Sequence, residues 1–319
     1  MQVNRMFAEA IFAIERKPND FIWIQDYHLT LVCQHLREKE DPDNPLKVGF
    51  FLHTPFELDK NFVYNYAKHG IVVNLFRAVI EGMLHCNKVG FQTHKDRNNF
   101  IELVNYIYGS EEGGSEEPGH LIKIEIDGIT PVGGCILGVY PASFETKKFV
   151  KLANKKEMKA QAKEFRNDRE CHLLVTEINN KYGQSNYKPI VFSTDSVNRD
   201  ELIIRYLAMD IGIVTPFKDG MNLVAKEMII SNPKASLILS EGAGTHHQLS
   251  ENELNDTYHL VKGNDDYEHF LDDFVDVLYN AATLDEAIRN ERGLRLSNFL
   301  IKYDAIKWGK DFVNEKYED

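Results

Sequence analysis

Residues 210–230, DIGIVTPFKDGMNLVAKEMII, carry the most informative chemistry of the chain. An apolar stretch runs into Thr215-Pro216, a loop carries Lys218-Asp219-Gly220, and a helix is expected to open near Met221 or Asn222. The amides at such a helix start lack partners and sit at the positive end of the helix dipole, so they form an anion site without any special side chain. A diphosphate fits there. Asp219 and Glu227 flank it, with Asp219 at the mouth of the turn and Glu227 expected two turns further on. Two carboxylates beside an anion site make sense as acceptors for hydroxyls, which a nucleotide sugar offers at both ends. The alternative stays open that Asp219 only caps the helix and Glu227 is solvated.

Two further groups have the same character. Trp23-Ile-Gln-Asp-Tyr-His-Leu29 puts a carboxylate, a phenol and an imidazole at a strand end. There Asp26 could orient a sugar hydroxyl, and His28 could donate a proton or ligate a metal. Equally, Asp26 could cap a helix that begins around Tyr27. In Phe50-Phe-Leu-His-Thr-Pro-Phe56, His53 reads either as a site residue or as a core histidine satisfied by a carbonyl, and Pro55 holds Thr54 extended. Ser240-Glu-Gly-Ala-Gly-Thr-His-His247 also follows an apolar stretch and should open a helix. By itself that signal is weak, and His246-His247 lacks the partners of a metal site.

These groups need elements to hold them. Phe21–Ile24, Lys47–Leu52 and Lys88–Phe91 read as short buried strands, with helices expected at 2–16, 29–39 and 72–86. Each strand runs directly into polar residues, as in open α/β sheets, which bind ligands beyond the carboxyl ends of their strands. In the second half, strands are expected at 189–192, 211–215 and 236–239. Helices are expected at 199–209, 221–230, 265–281, 284–300 and 303–316. Residues 109–120 are acidic and glycine-rich and read as a surface loop, whereas the lysine-rich stretch 147–170 reads as an exposed linker helix. The reading is a two-domain α/β chain: 1–145, a basic linker 146–170, a second domain 171–300, and a last helix 301–319 returning toward the first domain.

Composition narrows the function classes. Hydrophobic residues make up 43% and charged residues 27% of the 319, an ordinary globular balance. The net charge of −12 opposes general attraction to nucleic acid or anionic lipid, so any phosphate site must be local. No apolar run approaches the roughly 20 residues that span a bilayer. Glu9 and Glu15 inside the first apolar stretch argue against a presequence. Cys33, Cys86, Cys135 and Cys171 are far apart, without metal spacing, which points to a reduced, cytoplasmic protein.

Taken together, WIQDYHL around Asp26, FFLHTPF around His53, KVGFQT at 88–93, DGMNLVAKE at 219–227 and LSEGAG at 239–244 resemble, in order, the trehalose-6-phosphate synthases. The resemblance continues through EINNKYG at 177–183 and into the C-terminal helices. It implies a GT-B glycosyltransferase of two doubly wound parallel-sheet domains facing a cleft, both shortened here relative to the family. It also implies transfer of glucose from UDP-glucose to glucose 6-phosphate with anomeric retention, giving trehalose 6-phosphate and UDP, with no cofactor and no metal.

Carried onto this chain, the resemblance assigns Asp219 and His53 to the transferring glucose and Asp26 to the acceptor sugar. Asn222, Leu223 and Val224 would meet the donor glucose and diphosphate through their backbone, and Glu227 would hold the ribose. The family's N-terminal glycine-bearing loop and its R-L-D-Y-x-K-G segment, whose basic residues clamp the diphosphate, have no counterpart here. Each lost donor aimed at developing charge typically removes about 10²–10³ in rate. The alternative is therefore an impaired relative that binds sugar phosphate or regulates a trehalose synthase complex. Homo-oligomerisation or association with a full-length synthase are the partners considered, with neither nucleic acid nor membrane among them.

Overall fold

The computed structural model describes residues 2–17, 20–57, 70–108, 122–124, 134–155, 158–159, 174–184, 187, 189–191, 196–263 and 267–314. The chain divides into two compact units. One comprises Met1–Ala142, Lys218–Met221 and Lys307–Asp319, and the other Ser143–Phe217 and Asn222–Ile306. Residues 218–221 thus belong with the first unit rather than with the stretches that flank them.

The first unit contains α1 (Gln2–Ala13), β1 (Phe21–Gln25), a 3-10 turn (Tyr27–Leu29), α2 (Val32–Arg37), β2 (Lys47–Phe51), α3 (Gly70–Leu84), β3 (Lys88–Phe91), α4 (His94–Tyr108), β4 (Ile122–Ile124) and β5 (Cys135–Val139). Its five-stranded sheet runs β1-β2-β3-β5-β4, with β4 antiparallel to β5 and the other pairs parallel. The parallel strands are buried on both faces, hence their nearly continuous apolar sequences. Ile24, Val48, Phe50, Val89, Phe91 and Leu137 form the core with Leu36, Ile80, Leu84, Phe100 and Val104 of the helices.

The register, Gln25 opposite Phe51 and Phe51 opposite Gly90, brings the polar residues that follow β1, β2 and β3 to one end of the sheet. Helix α4 was not anticipated from periodicity. It is opened by Thr93 and Asp96: the Asp96 N–H donates to Thr93 Oγ1 at 3.2 Å and Thr93 Oγ1 donates to Asp96 Oδ2 at 2.6 Å.

In the second unit follow α5 (Thr146–Ala153), α6 (Leu174–Tyr182), α7 (Arg199–Ala208), β6 (Ile211–Val214), α8 (Leu223–Ser231), β7 (Ser236–Ser240), α9 (Gly244–Glu251), a 3-10 turn (Asn255–Thr257), β8 (His259–Val261), α10 (Tyr267–Thr283) and α11 (Glu286–Lys302). The sheet β6-β7-β8 is parallel throughout. Its core joins Ile229 and Ile230 of α8 to Leu237 and Leu239 of β7 and to Leu296 and Leu300 of α11.

Phe149 and Ala153 of α5 are buried in that same core. The start of the basic stretch is therefore a packed helix rather than an exposed linker; residues 160–170 lie outside those described, as do 109–120. The strand expected at 189–192 is absent over 189–191, where Asn179 of α6 holds both backbone groups of Ile190 at 3.0 Å instead.

Helix α12 (Ala305–Asn314) carries Trp308 and Phe312 onto the first unit's sheet. Phe312 stacks on Trp23 with ring centroids 4.6 Å apart and presses on Gly49 and Gly90, where an added Cβ would lie 2.8 and 2.6 Å from its ring. The glycine of each K-V-G-F stretch is thus a seat for this ring. Lys88 Nζ, buried, donates to the Phe312 carbonyl at 2.6 Å, placing a cation at the carboxyl end of α12.

Candidate functional site

Asp26 ends β1 in an unusual conformation, φ 66° and ψ 166°. That region is occupied almost solely by glycine and costs about 1–3 kcal/mol for another residue. The Asp26 side chain caps nothing, contrary to the capping alternative, and α2 begins only at Val32. Instead Asp26 Oδ1 accepts the His53 backbone N–H at 3.4 Å, while the Asp26 N–H donates to the Phe51 carbonyl at 2.8 Å.

The carboxyl ends of β1 and β2 are tied together in this way. His53 is half-buried, between Gln25 Oε1 (2.8 Å from Nε2) and Gln92 Nε2 (3.5 Å from Nδ1), with its ring 4.8 Å from that of Phe51. Burial lowers its pKa below the ordinary histidine value, against the opposing pull of the Asp26 carboxylate. Both ring nitrogens face amides, so His53 is poised as a neutral, fixed group rather than as a mobile proton carrier. His28 makes no such network; its ring lies 3.9 Å from that of Tyr27, tilted by 30°, and its carbonyl accepts from Asn4 Nδ2.

The loop 218–221 lies on this same edge of the first unit. A Cβ on Gly220 would sit 2.1 Å from the His53 carbonyl oxygen, so only glycine permits that approach. Lys218 Nζ pairs with Glu57 Oε2. Asp219 is partly exposed within this loop. Asp26, His53 and the Asp219 loop are thus gathered in one unit.

In the second unit the helix that follows is capped by Asn222 and not by Asp219. Asn222 Oδ1 accepts the Ala225 N–H at 3.0 Å. Asparagine is a strong cap because its short side chain reaches the third amide of the helix. The amides of Leu223 and Val224 are left as the first two of α8, without intrahelical acceptors. Glu227 lies only about 6 Å along the axis from Leu223, roughly one turn rather than two, since much of the 219–227 spacing is loop.

Glu227 is half-buried and not freely solvated. It accepts from Tyr206 Oη at 3.3 Å. Burial raises its carboxyl above the usual range, opposed by the Tyr206 hydrogen bond and the Arg199 charge. The sequence analysis did not find Tyr206, whose only signal was its place in α7.

The β7–α9 turn braces this region. Ser240 Oγ donates to the Pro216 carbonyl at 2.6 Å, Thr245 Oγ1 to the Asn222 carbonyl at 2.8 Å, and Gly242 approaches the Phe217 backbone so closely that a Cβ on it would lie 2.0 Å from the Phe217 carbonyl oxygen. Among the described residues no three His, Cys, Asp or Glu side chains converge as a metal site, and no helix is long and apolar enough to cross a membrane. A cleft of about 430 Å³ lined by Arg16, Asp20, Asn44 and Lys47 lies at the other, amino-terminal end of β1 and β2.

The family described as glycosyltransferase family 20 matches residues 1–168 and 134–318. The chain belongs to that family. The Caenorhabditis elegans protein named alpha,alpha-trehalose-phosphate synthase [UDP-forming] 2 is 34% identical over 393 aligned positions, covering 99% of this chain and 30% of the relative. The chain thus spans about 30% of the length of that relative. The alignment is also longer than the 319 residues of this chain, so the relative holds internal residues with no counterpart here.

Among solved structures, "Trehalose-6-phosphate from E. coli bound with UDP-2-fluoro glucose" superposes with TM-score 0.75 at 22% identity, covering 98% of this chain and 76% of that one. A Burkholderia xenovorans alpha,alpha-trehalose-phosphate synthase (UDP-forming) in complex with glucose-6-phosphate gives 0.73 at 21%, covering 98% and 77%. This glycosyltransferase family 20 chain therefore has the GT-B type α/β fold with parallel sheets.

Proposed function

We propose that this chain carries the glycosyl-transfer activity of a UDP-forming trehalose-phosphate synthase, moving glucose from UDP-glucose to glucose 6-phosphate with retention at the anomeric carbon. The single observation that carries the reading is the joining of Asp26, His53 and the 218–221 loop at the carboxyl ends of β1 and β2. Asp26 and His53 are neighbours there, and Gly220, next to Asp219 in the chain, approaches the His53 carbonyl. In this reading the first unit is the acceptor side and the second the nucleotide-sugar side.

Asp26 would accept hydrogen bonds from acceptor hydroxyls, Asp219 from the donor glucose, and the half-buried Glu227 from the ribose. The Leu223 and Val224 amides would meet the diphosphate. The protein's share of catalysis is orientation and electrostatics, with the departing phosphate taking the acceptor proton.

The test is UDP release from UDP-glucose that requires glucose 6-phosphate. Asp219→Ala is expected to lower it by 100-fold or more, about the size of one lost preorganised contact, and turnover equal to buffer would end the reading.

A second reading is favoured by the aligned positions of the relative that this chain lacks. It is a sugar-phosphate-binding or regulatory subunit without turnover of its own. Calorimetry with UDP and with glucose 6-phosphate, showing heat without product, would distinguish it.

A further inference from the structure

Four groups of the first unit form a directional hydrogen-bond chain whose polarity follows from its one unambiguous end. The Ala142 backbone N–H can only donate, and it donates to Gln92 Oε1 at 2.8 Å. With its carboxamide oxygen committed there, Gln92 presents its nitrogen to His53 Nδ1 at 3.5 Å. An amide nitrogen only donates, so Nδ1 is the unprotonated nitrogen and the proton of a neutral imidazole sits on Nε2. Nε2–H then donates to Gln25 Oε1 at 2.8 Å.

What remains at the end of the relay is the Gln25 carboxamide nitrogen with its two N–H donors. Among the described residues no hydrogen bond uses that nitrogen, and it is not sealed from solvent. Protonating Nδ1 would set two donors face to face, and Gln92 cannot turn over without abandoning Ala142. Burial, which lowers the His53 pKa, acts in the same direction.

Gln25 and Asp26, consecutive in the chain, both reach His53, one at its ring and the other at its backbone N–H. A donor on Gln25 and an acceptor on Asp26 are therefore both held against His53 at the carboxyl ends of β1 and β2. A sugar hydroxyl both donates and accepts, and can satisfy the two together.

We propose that Gln25 is a substrate-contacting donor, its carboxamide N–H held outward by the Ala142–Gln92–His53 relay to take an oxygen of the phosphorylated sugar acceptor beside Asp26. This rests on the proposed function for the identity of the acceptor, but the polarity of the relay does not. The experiment uses the full chain labelled with ¹⁵N. Long-range imidazole correlations at pH 7 are expected to show His53 as the neutral Nε2–H tautomer. The Gln25 side-chain NH₂ resonances, identified by their loss in Gln25→Glu, are expected to shift on adding glucose 6-phosphate.

In the same chain Gln25→Glu, which can accept from His53 but donate nothing, should raise KM for glucose 6-phosphate about tenfold, the scale of one hydrogen bond. Gln92→Glu, which touches no substrate, should move the His53 proton to Nδ1 and raise KM as well. An Nδ1–H or imidazolium form in the unmodified chain overturns the proposal. So do Gln25 resonances unmoved at millimolar glucose 6-phosphate, or KM within twofold in Gln25→Glu. A chain with the expected tautomer that neither binds nor turns over glucose 6-phosphate would instead sink the proposed function, and the Gln25 contact with it.

Discussion

At the residue scale, Asp26 shows how a side chain can be kept at a conformational cost. Its φ of 66° with ψ of 166° is a glycine conformation, and the carboxylate uses it to reach the His53 N–H. Asp26→Gly should therefore stabilise the chain by about 1–2 kcal/mol in urea unfolding. The same substitution is expected to abolish acceptor-dependent UDP release, whereas Asp26→Asn keeps the strain and gains no stability. A destabilised glycine variant would mean that the Asp26 hydrogen bonds outweigh the backbone cost.

None of this strain was visible in WIQDYHL, where a carboxylate before a helix reads naturally as a cap. The cap at 222 was equally hidden, because Asp219 and Asn222 are both good candidates until the helix start is fixed at Leu223. The pairing of Tyr206 with Glu227 joins residues on different helices, which no local pattern encodes.

At the element scale, the legible parts were those with strong apolar patterning. β1, β2, β3 and β7 lie within a residue of their expected bounds, and so does α7. What failed were short strands such as β8, whose three residues give too little alternation, and α4, whose mean hydropathy is low. The signal for α4 was present as Thr93 and Asp96 at capping-box spacing, later seen as reciprocal hydrogen bonds.

Two element-level tests follow, one from the ring seated on Gly49 and Gly90 and one from the close approach of Gly220 to His53. Phe312→Ala empties a fully buried site between β2 and β3 and should cost about 3–5 kcal/mol by denaturation, while Phe312→Leu should cost less than half of that. An unchanged melt would show that α12 does not hold the first sheet. Gly220→Ala would push a Cβ into the His53 carbonyl. It is expected to cost about 1–3 kcal/mol and to lower turnover more than stability, because the loop that moves carries Asp219. Wild-type turnover in that variant would separate the loop from the chemistry.

At the scale of the whole molecule, acid sensitivity is set by imidazoles spread over both units. Burial lowers the pKa of His53, His94, His246 and His259. Below about pH 6.5 the unfolded chain takes up protons that the folded chain refuses. Stability should therefore fall as pH drops through that value, until the lowered folded values are passed. Asp96 and Glu227, raised by burial, act in the opposite sense. The urea midpoint is expected to be lower at pH 5.5 than at pH 7.5, and His259→Gln should lessen the drop. A flat profile would contradict the assignment.

The threading of the chain has a consequence for handling the protein. Trp308 and Phe312 of the last helix follow the entire 222–306 stretch, so residues 1–142 made alone would lack that aromatic plug on the first sheet. A protease cut between the two would leave fragments clasped by stacked rings and by the Lys88 ammonium. Such a nicked sample would migrate as one particle on a native gel and as two bands once detergent is added.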